Sequence, residues 1–186
     1  MTEKFLFIAL VFTTSLFFTA CEKDDPEIPN EEELITTLKY NLTPTGGGTS
    51  ITLSFQDLDG DGGDNPAITG GNLAANQTYT GTLELLNDSK TPAESITEEI
   101  EEEKEEHQFF FQSNVSNLTI AYSDQDANGN PVGLTSILTT GAAESGTITI
   151  LLRHEPNKSA SGVSDGDITN AGGETDIEVT FPVNVQ

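Results

Sequence analysis

The sequence predicts an all-β fold, a single antiparallel β-sandwich with one short acidic helical insertion, and three observations carry the prediction. From Leu34 onward, short runs rich in β-branched and aromatic residues alternate with clusters of Gly, Asn and Asp, as expected for strands joined by tight turns. Within several runs the apolar residues recur at every second position, which sets one strand face on a core and the other towards water. One stretch, 92–106, departs from that pattern towards a helix.

Taken in order, the strands are expected at 34–43, 49–55, 78–86, 108–112, 118–122, 134–139, 146–153 and 175–185. Alternation is clearest in Ile51, Leu53 and Phe55, in Ile148, Ile150 and Leu152, and in Ile177, Val179 and Phe181. About seven or eight such strands in one domain is an immunoglobulin-like number. Between the third and fourth strands, Thr91 has the chemistry of a helix cap, Pro92 suits the first helical position, and Glu94 stands three residues after the cap. These signals predict a helix of about three to four turns with a thin apolar face of Ala93, Ile96 and Ile100. Repulsion between Glu residues three and four apart costs about 0.2–0.5 kcal/mol per pair, so the helix needs docking; the alternative is an extended excursion.

The chain has 186 residues, with 31 Asp plus Glu against 7 Lys plus Arg, for a formal charge of −24. That balance argues against nucleic acid as a partner, because a binder must place Lys and Arg against phosphates. A single Cys excludes an internal disulfide framework and a Cys-rich zinc site.

The amino end reads as an export signal. Lys4 precedes a mostly apolar run, 5–18, then Thr19, Ala20 and Cys21, after which the composition turns abruptly acidic. At about 1.5 Å per residue the run spans roughly 21 Å, short of a hydrocarbon core of about 30 Å, which fits a signal segment. A small residue before the only Cys, directly after this run, resembles the lipobox of bacterial lipoproteins. The resemblance implies cleavage before Cys21 and a membrane anchor through lipid on that residue; Phe18 stands where the motif most often has Leu. Lys23, Asp24 and Asp25 resemble the export signal by which some Bacteroidota lipoproteins reach the outer face of the outer membrane. The same residues also suit a solvated acidic tether, and a periplasm-facing location is the alternative. The expected organisation is a signal peptide at 1–20, a tether at 21–33 and a β domain at 34–186. Removing 1–20 takes one Glu and one Lys, so the mature chain keeps its charge.

Three acidic clusters are candidates for a hard cation. Asp57, Asp59, Asp61 and Asp64 alternate with Gly and Leu in the manner of a Ca²⁺ loop, yet the twelfth position is Ile68 where an EF-hand needs Glu. Asp124, Asp126 and Asn128 repeat the spacing, with Thr135 at the twelfth position. Each also reads as plain turn chemistry, with carboxylates making Asx turns. The third cluster, Asp165, Asp167, Glu174 and Asp176, lies in a polar connection. Ca²⁺ is therefore the one cofactor the sequence suggests. His107 and His154 each neighbour a carboxylate, Glu106 and Glu155, and would pair on a transition metal if their strands ended side by side; a surface or capping role is the alternative. The segment 153–174 reads as a long structureless loop, where binding sites often lie. No Gly-x-Ser-x-Gly, His-Glu-x-x-His or phosphate-binding Gly-rich motif occurs, which argues against an enzyme.

Three blocks, 57–62, 96–110 and 153–182, resemble small lipoproteins of flavobacteria and relatives that have no assigned activity. Some such sequences are labelled type 1 periplasmic binding fold proteins, which would imply two α/β lobes and solute binding; one helix among about eight strands points instead to a single β domain. The expectation is a lipid-anchored envelope module, surface-displayed, that binds a protein, glycan or small molecule. A periplasmic solute-binding protein and an enzyme acting on surface polymers are the alternatives.

Overall fold

The computed structural model describes residues 34–60 and 63–186, all within one compact unit, Glu32–Gln186. Eleven strands, one helix and two 3-10 turns follow the chain: β1 (Thr37–Pro44), β2 (Ile51–Gln56), β3 (Ala67–Thr69), β4 (Gly71–Leu73), β5 (Thr78–Asn87), β6 (Glu94–Ser95), α1 (Ile96–Glu102), β7 (His107–Ser113), β8 (Thr119–Tyr122), β9 (Thr135–Thr139), β10 (Glu144–His154) and β11 (Glu174–Val185), with the 3-10 turns Val163–Asp165 and Ile168–Asn170 before β11. One sheet has the order β3-β2-β1-β5-β9-β8, with β6 on β5, and the other runs β4-β11-β10-β7. All pairings are antiparallel except β4 with β11. The all-β sandwich holds, and each of the eight expected strands is present within a few residues of its expected bounds. The two α/β lobes of a periplasmic binding fold do not occur among the described residues.

Alternation places the core. Leu38, Tyr40 and Leu42 of β1 face Tyr79, Leu83 and Leu85 of β5 and, across the sandwich, Ile148, Ile150 and Leu152 of β10 and Val179, Phe181 and Val183 of β11, all buried. Two glycines sit where a side chain cannot. A Cβ on Gly81 would fall 2.5 Å from the Tyr40 hydroxyl oxygen, which bonds Ser136 Oγ at 2.8 Å across that strand. Burial pushes the Tyr40 phenol up to about 12. A Cβ on Gly70 would fall 2.0 Å from the Pro182 carbonyl oxygen, so glycine lets the chain step from β3 in one sheet to β4 in the other.

The helix corrects one expectation. Helical structure begins at Ile96, capped by Ser95, whose Oγ accepts from Glu98 N at 3.3 Å. The Thr91–Pro92 peptide is cis, and Glu94 and Ser95 form β6 against Leu86 and Asn87 instead of a first helical turn. Strand pairing thus wins over the Thr91 and Pro92 cap signal. Ile96 and Ile100 are buried as expected, and Thr97 Oγ1 accepts from Leu85 N at 2.7 Å, fastening the helix to β5.

The segment 155–173 corrects another. It is a folded cover on the outer face of the smaller sheet: Val163 and Ala171 close on Phe110 and Leu151, with Ala160 and Ile168 against them, in a second apolar cluster. Gln108 Nε2 donates to Val163 O at 2.8 Å and to Tyr122 Oη at 3.2 Å, and Tyr122 Oη donates to Phe109 O at 2.7 Å. Consequently β7 is buried on both faces from His107 to Phe110.

Candidate functional site

The strands run between two ends of the sandwich, and each end gathers different chemistry. At the end where β1 starts, Thr37 pairs with Leu86 and Gln56, and Thr36 Oγ1 accepts from Asp88 N at 2.7 Å. At the other end Pro44 pairs with Tyr79, and β11 finishes beside β4.

That second end holds a recess of about 460 Å³, lined among others by Gly47, Gly48, Asn72, Gln77, Tyr79 and Gln186. The Gly-rich turn between β1 and β2 forms one wall and the turn after β4 another. Tyr79 is buried in its floor, and its hydroxyl oxygen accepts from Ala74 N at 2.8 Å. Among the described residues no charged side chain lines it, in a chain of net charge −24. What it offers is amide donors and acceptors beside the apolar surfaces of Pro44, Ile51 and Leu73. Sequence reasoning missed this place and looked to 57–64 and 153–174; the glycine run at 46–48 was the available signal.

At the end where α1 lies, the two histidines meet. His107 and His154 are register partners in β7 and β10, and their rings stack with centroids 4.8 Å apart and 12° between planes. The condition that the two strands end side by side is met. His107 Nδ1–H donates to Glu103 O at 3.1 Å, since a carbonyl can only accept. Burial pulls the His107 imidazole below its usual value, against the pull of that carbonyl and of Glu103 and Glu106. His154 Nε2 lies 3.9 Å from Glu106 Oε2. Glu155, next along, takes a left-handed backbone with φ 49°, and its N–H donates to Glu106 O at 2.6 Å.

The acidic loops separate. In the first, Asp57 Oδ1 accepts from Gly60 N at 3.0 Å and Asp59 Oδ2 from Asp64 N at 2.9 Å; Asp61 lies outside the described residues. The amide of Asp64 holds the Asp59 carboxyl below the usual range. In the second, both Asp124 oxygens accept backbone amides, Gly133 N at 2.7 Å and Thr135 N at 2.9 Å. Asp126 Oδ1 accepts from Asn128 N and Asn130 N, each at 2.9 Å. Asp126 Oδ2 meets Lys158 Nζ at 3.1 Å, with both side chains buried. The ammonium of Lys158 thus sits against this loop and neutralises the Asp126 carboxylate. Asn128 contributes its backbone N–H to that turn. In the third cluster, Asp167 Oδ1 accepts from Thr169 N at 2.9 Å and caps a 3-10 turn.

Cys21, Lys23, Asp24 and Asp25 lie outside the described residues. Among the described residues no helix is long and apolar enough to cross a membrane. No family model, curated protein or solved structure matches the chain.

Proposed function

We propose that this protein is a lipid-anchored binding module of the bacterial envelope, held through Cys21 and displayed at the outer membrane surface, whose recess takes an uncharged, hydroxyl-rich ligand of the saccharide class. The observation that carries the ligand is a recess lined by no charged side chain on an otherwise strongly acidic protein. Asn72, Gln77 and Gln186 can each donate and accept, as hydroxyls require, while Pro44, Ile51 and Leu73 suit the C–H face of a sugar ring. Its volume of about 460 Å³ is in the range of small-ligand sites.

The anchor rests on the sequence around Cys21 and on its resemblance to a lipobox. A tether of 21–33 spans at most about 45 Å when extended, so the domain would work close to its membrane. β1 begins at the end opposite the recess, which leaves the recess away from the tether's point of attachment. Sequence carries this half of the reading and geometry the other half.

Two measurements test it. Wild-type protein expressed with its signal should partition into detergent and Cys21→Ser into water; a wild type that stays in water would remove the anchor. The Cys21→Ser chain should retain neutral oligosaccharides on an array, and a Trp at the exposed Asn72, which fills the recess, should abolish retention. Binding that survives Asn72→Trp, or an array with no neutral glycan retained, would remove the ligand assignment.

A further inference from the structure

Beyond the recess, the opposite end of the sandwich assembles donors of another kind. One ligand atom each from Glu106, His154 and Glu155 lie within 4.8 Å of one another. They come from two strand ends that the β7–β10 register brings together: Glu106 precedes His107, Glu155 follows His154, and His107 faces His154. The backbone bond from Glu155 N to Glu106 O at 2.6 Å locks the two carboxylate-bearing residues side by side.

We propose that Glu106, His154 and Glu155 form a site for a divalent transition-metal ion of the zinc type. Zinc takes imidazole nitrogen and carboxylate oxygen at about 2.0–2.2 Å, which requires neighbouring donors to sit about 3.3 Å apart. His154 Nε2 and Glu106 Oε2 are already 3.9 Å apart. Closing the set needs rotation of the two Glu side chains, both exposed, while the imidazole stays where it is. His154 is held by its stack on His107, and His107 in turn is anchored on the Glu103 carbonyl. His107 is therefore a positioning residue for the ligand ring.

Charge and softness select the ion. Two carboxylates and a neutral imidazole carry a formal charge of about −2, matched by a divalent cation. The nitrogen donor favours zinc, nickel or copper over calcium or magnesium, which prefer all-oxygen sets. Three protein donors leave a fourth position of a tetrahedral ion to water.

The test is zinc titration of the full chain carrying Cys21→Ser, which removes the competing thiol, in millimolar calcium to occupy diffuse carboxylate sites. One saturable zinc per chain is expected. The double variant Glu106→Gln/Glu155→Gln should weaken it about tenfold or more, whereas Glu98→Gln/Glu102→Gln, which removes the same charge from the helix, should leave it unchanged. Only two histidines are present, so proton NMR can follow each ring, and the His154 signal should move on zinc addition. No saturable zinc, equal affinity in the Glu106→Gln/Glu155→Gln variant, or an unmoved His154 signal would each overturn the site.

Discussion

In the loop 57–64 the carboxylates of Asp57 and Asp59 turn back on amides of their own turn, Asp57 half-buried and Asp59 exposed. In the loop 124–131, with the same alternation of oxygen-bearing side chains, Asp126 is buried and paired with Lys158, a residue 32 positions later in the chain. Lys158 Nζ also donates to Pro131 O at 3.2 Å and to Lys104 O. One ammonium thereby ties together the loop after β8, the turn after α1 and the cover over the smaller sheet. The difference teaches that spacing of acidic residues specifies a turn, while burial by a distant segment decides whether the turn becomes part of the core. Removing one partner of a buried pair leaves the other charge desolvated.

The largest effect should come from that ammonium. Lys158→Met keeps most of the aliphatic stem but strands the Asp126 carboxylate, and the expected loss of stability is about 3 kcal/mol or more in urea denaturation. A loss below about 1 kcal/mol would show that Asp126 reaches water and would collapse the contrast between the loops.

Acid should separate the loops next. Burial opposes ionisation of Asp126, but the amides of Asn130 and Asn128 and the Lys158 ammonium outweigh it and hold its carboxyl below the ordinary range. A depressed folded pKa means that the unfolded chain takes up the proton first as pH falls. The stability that Asp126 contributes is therefore complete above about pH 4, the unfolded value, and is lost as pH falls through the folded one. Lys158 itself is pulled below the usual lysine range by burial, with Asp126 pulling the other way. Stability measured from pH 6 down to pH 2 should fall less steeply in Lys158→Met than in wild type; parallel curves would assign the acid loss to other carboxylates.

How much of this was legible in the sequence differs by level. Alternation such as Ile148, Ile150 and Leu152 announces a strand whatever it packs against, which is why the eight main strands could be located. The short strands β3, β4 and β6 carry two or three residues each and owe their existence to neighbours, so no local period marks them. Pro92 and Glu94 gave a sound local signal for a helix start, and tertiary pairing of β6 on β5 overrode it. The cover 155–173 reads as a polar loop because Ser, Asn, Asp and the glycines at 162 and 166 separate its few apolar residues, Ala160, Val163, Ile168 and Ala171. Lys158 lies in that cover, and nothing near it in sequence names Asp126 as its partner. The histidine pair was legible only as a condition, because register is a property of two strands.

A smaller effect would sharpen the contrast by chemical exchange. Lys158→Ala empties the space that Nζ fills, leaving Asp126 Oδ2 and the carbonyl oxygens of Pro131 and Lys104 facing one another. Three such oxygens are suitable ligands for Ca²⁺. Calcium at about ten times its dissociation constant should then restore about 1.4 kcal/mol to Lys158→Ala by mass action, and it should restore nothing at this loop in wild type, where the ammonium is in place. Equal calcium effects in both proteins would place the ion elsewhere, with 57–64 as the first location to examine.

The smallest effect belongs to the first loop. Asp57→Asn/Asp59→Asn keeps the side-chain oxygens that accept from Gly60 N and Asp64 N and removes only the charges. Both bonds are local, joining residues three and five positions apart, and the second is exposed, so each adds little net stability. Charge removal also relieves repulsion among neighbouring carboxylates, which offsets part of what weaker acceptance costs. The double variant should therefore unfold within about 0.5 kcal/mol of wild type. A loss of the size expected for Lys158→Met would mean that this loop is as deeply tied into the domain as the loop around Asp126, and the contrast between them would fall.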